Sequence, residues 1–328
     1  MTAPPVFRAG NALWLGLLWG LVFSSVPAAE TDGRSPDHWL ARMNHSVSHL
    51  SFEGNFVYLS GRILEAMRLR HFIVDGRPRE SLFSLTGQPR EIIRDADRLT
   101  IITWVDGKPH RVSHPSSGRL SPLKPLQAED LKRHYRLVMG KNARIAGRSG
   151  VVVALVPRDD LRYGYRLTLD EESALPLDLT VMDGNGELVS RIMFTQLHIH
   201  DHDPEYPAPD MDRPPVAQTT AQAVAVEKSG SEASQWRFRA LPTGFRLMSR
   251  QYHPEGRQEH FVFSDGLATI SLYIEPLAEG DRPFDGETSL GSVNAFGRSL
   301  GRHQLTVVGE VPHKTLRLLA DAVERRRP

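Results

Sequence analysis

"YGYRLTLDEESALPLDLTVMDGNGELVSRIMFTQLHI", residues 163–199, decides the fold. Its first eight residues alternate: Tyr163, Tyr165, Leu167 and Leu169 against Gly164, Arg166, Thr168 and Asp170. A period of two is a strand with one apolar and one wet face. The remainder reads as two more strands joined by a glycine-containing turn at Asp183–Gly186. Consecutive strands with short connections imply an antiparallel meander.

The same period runs through the earlier chain. Phe52, Phe56 and Tyr58 share a face, as do Met67, Leu69, His71 and Ile73, with Arg68 and Arg70 pointing away. Residues 98–105 (RLTIITWV) and 151–156 (VVVALV) are further strand candidates, and Asp75–Pro78 and Asp106–Gly107 are turns. A long meander must curl over something to bury its apolar face. The predicted helix Ser35–Leu50 supplies it: Ser35 caps, Pro36 takes the first position, and Trp39, Leu40, Met43, Val47 and Leu50 fall on one face. Two stretches interrupt the meander. Ser113–Gln127 is a Ser/Pro-rich loop, and Ala128–Gly140 is predicted as a short helix with Leu131, Tyr135 and Val138 as its stripe.

From Asp201 to Ser234 the alternation stops, and prolines followed by "VAQTTAQAVAVEKSGSEAS" have linker composition. A smaller unit follows. Strands are expected in 236–251, 259–276 and 303–311, with a hairpin turn at Asp265–Gly266. A final helix is expected to begin near Pro312 and to present Leu316, Leu319, Ala320 and Val323, with Arg325–Arg327 at its end.

A length of 328 residues suits about two domains. The net charge of +1 selects no partner, and the lack of cysteine excludes disulfides, thiolate metal sites and a cysteine nucleophile. Arg8, the apolar run Ala12–Phe23 and the small residues of "SSVPAAE" have the layout of a secretory signal peptide, cleaved after Ala28 or one residue later. The run is shorter than the roughly 20 apolar residues of a membrane-spanning helix. The expected organisation is a signal peptide (1–28), a large β domain (29–202), a linker (203–234) and a small α+β domain (235–328) in an exported protein.

Three features could carry chemistry. His198, His200 and His202 share a strand face; the outer two lie about 13 Å apart at strand rise, so with bonds of about 2 Å neighbouring pairs could share an ion but all three could not without a bend, and a site would need ligands from elsewhere. "GRSLG" (297–301) matches the G-x-S-x-G nucleophile motif, yet a strand follows it where the motif needs a helix, so it reads as a bend in a small sheet. Arg119–Arg148 carries eight cations against Glu129 and Asp130, a solvated face or a surface for phosphate-bearing lipid. No metal, cofactor or nucleic acid is expected. A curled sheet incompletely filled by its helix would leave a groove suited to acyl chains.

"WLARMNHSVSHLSFEGNFVYLSG", "AMRLRHFIVDGRPRESLFSLTGQPREIIR", "RYGYRLTLDEESALPLDLTVMDGNGELV", "LPTGFRLMSRQ", "FSDGLATISLYIE" and "LTVVGEVPHKTLRLLADAV" together resemble the MucB/RseB family of periplasmic regulators, over about Ser35 to Val323. The resemblance implies a mostly β (α+β) chain: a half-open antiparallel β-barrel of the lipoprotein-carrier type, then a small α+β domain. It implies a non-enzymatic periplasmic role. The protein would bind the periplasmic part of a transmembrane anti-sigma factor (RseA/MucA type) and shield it from regulated proteolysis, with lipopolysaccharide or lipoprotein acyl groups displacing it. A lipid or lipoprotein carrier is the alternative, and homo-oligomer formation stays open. The residues chosen for the partner are Trp236, Phe238, Phe245, Tyr252 and Phe261. Those chosen for lipid are Phe56, Tyr58, Leu69, Tyr163, Tyr165 and Leu167, with Lys132, Arg133 and Arg136 for head-group phosphates.

Overall fold

A computed structural model of the chain describes residues 35–95, 98–105, 107–115, 126, 128–200, 234–253 and 257–326. The first helix, α1, spans Pro36–His49; the Ser35 hydroxyl accepts the His38 N–H at 3.2 Å. Trp39, Leu40, Met43 and Val47 are buried, as their spacing predicts, and Leu50 packs against the same core.

Twelve strands then form one antiparallel sheet. β1 (Phe52–Ser60), β2 (Ile63–Val74), β3 (Arg77–Ser84), β4 (Arg90–Asp95), β5 (Arg98–Val105) and β6 (Lys108–Pro115) follow in a meander. After α2 (Ala128–Lys132) come β7 (Tyr135–Met139), β8 (Ala143–Ile145), β9 (Arg148–Pro157), β10 (Gly164–Asp170), β11 (Pro176–Met182) and β12 (Leu188–Ile199). The order is β6-β5-β4-β3-β2-β1-β12-β11-β10-β9-β7, with β8 also on β9. β12 pairs with β1 from Phe52↔Ile199 to Ser60↔Ser190, joining the two meanders. Among the described residues β6 and β7 end the sheet and do not pair with each other, so the barrel is half open, and its apolar face lies against α1. Full burial of Leu40, Val153 and Leu169 stabilises by roughly 1.5–3 kcal/mol each. A buried polar row crosses the same sheet: Glu80 accepts from His71 Nδ1 at 2.9 Å and from Arg94 Nε at 3.1 Å.

Two expectations need correction here. The helix predicted to Gly140 stops at Lys132, and Tyr135–Met139 is strand. Tyr135, Leu137 and Met139 face the core at period two, and pairing along β9 from Tyr135↔Pro157 to Met139↔Val153 supplies more than an isolated short helix could. Ser113–Pro115 belongs to β6 rather than to the loop. Leu126 is pinned to α1 by Asn44, whose amide bonds its N–H and C=O at 2.7 and 2.6 Å. Residues 116–125 and 127 lie outside the described residues, as do 1–34 with the expected signal peptide and nearly all of the expected linker.

The second unit contains β13 (Trp236–Phe238), β14 (Arg246–His253), β15 (Gln258–Ser264), β16 (Thr269–Pro276), β17 (Gly286–Leu290), β18 (Val293–Leu300), β19 (His303–Gly309), α3 (His313–Asp321) and β20 (Val323–Arg325). Its six-stranded sheet runs β14-β15-β16-β19-β18-β17 and packs Phe261, Phe263, Ile270, Leu272, Leu305 and Val307 with Leu316 and Leu319 of α3. The final helix ends earlier than its apolar spacing predicts. Val323–Arg325 leaves it to pair with β13, which keeps Val323 in the core. Asp265–Gly266 forms the expected hairpin, with Asp265 Oδ1 accepting the N–H groups of Leu267 and Ala268. "GRSLG" is the end of β18 and its turn to β19, with Ser299 opposite Gln304. No helix among the described residues is long and apolar enough to cross a membrane.

Gly54 on β1 offers a direct test of the β1–β12 seam. A Cβ there would meet the Gln196 carbonyl oxygen and lie 2.8 Å from the Phe194 ring. Alanine normally improves on glycine inside a strand. Here Gly54→Ala is expected to cost about 1–3 kcal/mol in urea denaturation. A variant as stable as the parent would show that the seam yields at this point.

Candidate functional site

The residues proposed for lipid come together. Phe56, Leu69, Tyr163, Tyr165 and Leu167 are all buried in the first core, and Tyr58 packs partly buried against it. They come from β1, β2 and β10, or lie just before β10, and α1 covers the same core. The Phe56 ring sits 5.6 Å from Phe194, and Tyr165 meets Tyr135 edge-on at 6.1 Å. An acyl chain could touch Phe56, Leu69 or Leu167 only by displacing what now covers them. Of the three cations, Lys132 is already bound to Asp37 at 2.8 Å and Glu129 at 2.9 Å. These hydrogen bonds hold its pKa above the ordinary lysine value. Arg133 and Arg136 are exposed.

The aromatics proposed for the partner do not form one surface. Trp236, Phe245 and Phe261 are buried in the second core, where Phe238 meets Phe261 and Phe263 edge-on at 5.2 and 5.1 Å. Only Tyr252 of the five is exposed, at 42%. His198 and His200 stand edge-on at 4.7 Å, and His202 lies outside the described residues.

A site that sequence reasoning missed lies where the two units meet. Arg162 is fully buried just before β10, and its guanidinium carries four bonds. Nη1 donates to Asp265 Oδ2 at 2.6 Å across the junction, and Nη2 donates to the Thr243 carbonyl at 2.5 Å. Nε and Nη2 reach Asp159 at 2.9 and 3.2 Å. The Tyr135 hydroxyl donates to the same Asp265 oxygen at 3.2 Å. The rings of Tyr135 and Phe245 lie 5.7 and 5.4 Å from the guanidinium carbon. Burial alone would lower the Arg162 pKa, but the Asp159 hydrogen bonds and the charges of Asp265 and Asp159 overcome it, so the group stays above its ordinary value. The same burial pushes the Tyr135 and Tyr165 hydroxyls far up. All three groups are fixed in one protonation state: Arg162 charged, both tyrosines neutral.

Further contacts extend the junction. Ser60 Oγ accepts the Ser292 N–H at 2.7 Å, beside a tight approach of Gly61 and Gly291, both at positive φ. Asn294 Nδ2 donates to the Tyr163 hydroxyl at 2.9 Å, Ser190 donates to Glu310 at 2.7 Å, and Thr315 donates to the Leu161 carbonyl at 2.6 Å. Lys314 pairs with Asp160. Tyr58 and Tyr163, chosen as lipid contacts, thus turn their hydroxyls toward the second unit, Tyr58 at 3.4 Å from Ser292. The one local hint was "RDDLRYGY", a charged knot between two apolar strands. Nothing local connects it to Asp265, 103 residues on.

His134 completes the junction by packing its ring on Gly244, whose φ of +88° and missing Cβ permit the approach. Its pKa is lowered, first by burial and then by the Arg162 charge, with a smaller contribution from Arg133. Asp265 and Asp159 oppose the shift.

The chain matches two family models: the MucB/RseB N-terminal domain over residues 35–225 and the MucB/RseB C-terminal domain over residues 230–324. It is 32% identical over 311 residues to the sigma factor AlgU regulatory protein MucB of Pseudomonas aeruginosa, covering 90% of this chain and 92% of that one. It is 24% identical over 329 residues to the sigma-E factor regulatory protein RseB of Escherichia coli K12, covering 95% and 98%. Among solved structures, the complex of Pseudomonas aeruginosa MucA and MucB matches with a TM-score of 0.67 at 29% identity, over 89% of this chain and 99% of that one. MucB alone matches at 0.61, with 30% identity over 88% and 97%.

Two outcomes follow from the junction. Arg162→Ala leaves Asp265 buried without its cation and is expected to cost about 3–5 kcal/mol in urea denaturation. A loss no larger than that of a surface substitution would mean that water replaces the guanidinium. The second outcome concerns pH. A lowered imidazole pKa means that the folded state resists protonation. The contribution of His134 is therefore complete above its ordinary pKa of 6.5 and is lost as pH falls below that value toward the lowered folded-state pKa. His260 and His303 are also lowered by burial and add to the same trend. The drop in melting temperature between neutral and mildly acidic buffer should be smaller in His134→Gln than in the parent; equal drops would remove His134 from the effect.

Proposed function

The chain belongs to the MucB/RseB family, and from that premise we propose that it is a negative regulator of an envelope-stress sigma factor. It is exported to the periplasm by the leader 1–28, and units 29–202 and 235–328 are tethered by 203–234. It binds the periplasmic region of a transmembrane anti-sigma factor of the MucA/RseA type and shields that region from regulated proteolysis. Lipid-bearing envelope components, lipopolysaccharide or lipoprotein acyl groups, trigger release. It performs no catalysis. The observation that carries this reading is the full-length likeness to MucB, a protein solved in complex with the periplasmic part of MucA.

The structure supports the parts of this reading unequally. The apolar wall around α1 has the chemistry to hold an acyl chain, but only after rearrangement, since Leu69 and Leu167 are 1% and 4% exposed. That favours lipid as a signal over lipid as routine cargo. The lipid-carrier alternative differs in one respect: a carrier moves acylated cargo between membranes, whereas a regulator need only bind it.

The test is a cleavage assay with the mature chain, the periplasmic region of a MucA-type anti-sigma factor and the protease that makes the first cut. With the mature chain at ten times its Kd, the free fraction of substrate falls to roughly one-tenth and cleavage slows about tenfold. Added lipopolysaccharide or acylated peptide should restore the rate. An unchanged rate at every concentration sinks the shielding role, and transfer of acylated cargo between vesicles would favour the carrier.

A further inference from the structure

Three hairpin turns come together on one rim of the molecule: Gly61–Arg62 between β1 and β2, Asp183–Glu187 between β11 and β12, and Gly291–Ser292 between β17 and β18. Hydrogen bonds hold them side by side. The Gly61 N–H donates to the Val189 carbonyl at 3.3 Å, and Ser60 Oγ accepts the Ser292 N–H at 2.7 Å. Beside each turn stand large apolar side chains that the fold leaves in solvent. Ile63 and Leu64 are 39% and 65% exposed, Leu188 is 48%, and Leu290 and Val293 are 76% and 38%. All of them lie within three positions of a residue that makes one of these contacts.

A cationic row runs up to the same rim. Strand register sets Arg166, Thr180, Arg191, Leu59 and Leu64 next to one another across β10, β11, β12, β1 and β2, on one face of the sheet. Arg166 and Arg191 line a cavity of about 240 Å³ together with Thr180, Met182, Gly186 and Leu188. Arg191 gives its Nε to Asp178, and the Thr180 hydroxyl donates to the same carboxylate. Arg166 is exposed and has no ion pair among the described residues. Asp183 spends its Oδ1 on the N–H groups of Asn185 and Glu187 within its own turn. Arg62, Arg166 and Arg191 therefore outnumber Asp178 and Glu187 along this rim.

Size and shape select the occupant. A fully exposed aliphatic side chain presents on the order of 150 Å², so these residues leave on the order of 400 Å² of apolar surface in solvent, enough to mark an interaction site. A stable protein partner needs about 800 Å² from each side. The apolar residues also project from turns instead of lining a flat face or a groove. A bilayer accepts projecting aliphatic tips, and its phosphates attract the cations beside them.

We propose that this rim docks on an anionic membrane surface. Leu64, Leu188 and Leu290 enter the interface with Ile63 and Val293, and a lipid phosphate sits between Arg166 and Arg191. The inference goes beyond the reading above, which concerns acyl groups entering the half-barrel; here no core residue moves. The two units contribute tips together only while Ser60 holds Ser292, so the surface is complete only in the assembled junction. Docking there holds the chain beside a membrane-spanning partner.

The experiment is co-sedimentation of the mature chain with vesicles of phosphatidylcholine, with and without phosphatidylglycerol. The parent should bind the anionic vesicles more tightly, and added salt should shrink the difference. Leu64→Ser combined with Leu290→Ser should weaken binding to both kinds at least about tenfold. Arg166→Gln should weaken binding to the anionic vesicles about fivefold and leave phosphatidylcholine binding unchanged. All three positions are exposed, so melting temperatures should match the parent. A parent that stays in the supernatant overturns the proposal, and so does a leucine variant that binds as well as the parent. Lipid-free self-association of the parent, lost in the leucine variant, overturns it too by making the rim a contact between copies. The cleavage assay on the soluble partner keeps the two readings apart, because parent and leucine variant should slow cleavage alike. Slowed cleavage without vesicle binding removes the docking surface alone, and vesicle binding without slowed cleavage removes the proposed function alone.

Discussion

A sheet of twelve strands with one apolar face must cover that face, and everything in the first unit follows from how it does so. The pairing of β12 to β1 turns two meanders into a single wall, and α1 lies against its apolar side. Among the described residues β6 and β7 do not pair, and α1 with the pinned residue Leu126 covers the face that closure would cover in a complete barrel. The cover is thus a set of side chains on one short element rather than a ring of backbone hydrogen bonds. An element held by side-chain packing can shift without breaking the sheet beneath it.

The parts of this fold that were legible in the sequence are those where one period dominates. The period of two at Tyr163–Asp170 and Met67–Ile73 marks strands and the capped stripe of α1 a helix, as the structure has them, but the wet face expected at Thr168 and Asp170 is buried, at 3% and 2%, with Arg148 holding the Asp170 carboxylate. The misreadings at Tyr135–Met139 and Val323–Arg325 share a cause. Each is a short strand directly after a short helix, and apolar residues three or four apart satisfy both periods over so few positions. Only a distant pairing partner, β9 or β13, decides between them. The site suffered from the same blindness. An aromatic ring suits a core and an interface equally well, so nothing local separates Trp236 and Phe261, which are buried, from Tyr252, which is not.

The junction marks the limit of local reading, and its chemistry differs from that of the two cores it joins. Arg162, Asp265, Ser60, Ser292, Asn294, Glu310 and Thr315 carry it. Of the described apolar residues packed on the first core, Leu267 alone comes from the second unit. An interface of this composition gains little from the hydrophobic effect and depends on geometry: a buried ion pair approximately breaks even against its desolvation, while losing one partner is costly. Separation of the two units would return both charges to water and expose little apolar surface, leaving each core intact. Among the described residues, the mutual arrangement of the two units is therefore specified more by hydrogen-bond geometry than by buried apolar surface. Three tyrosines, Tyr135, Tyr58 and Tyr163, bridge the first core and the second unit. These residues have their rings in or against the first core and their hydroxyls on the second unit.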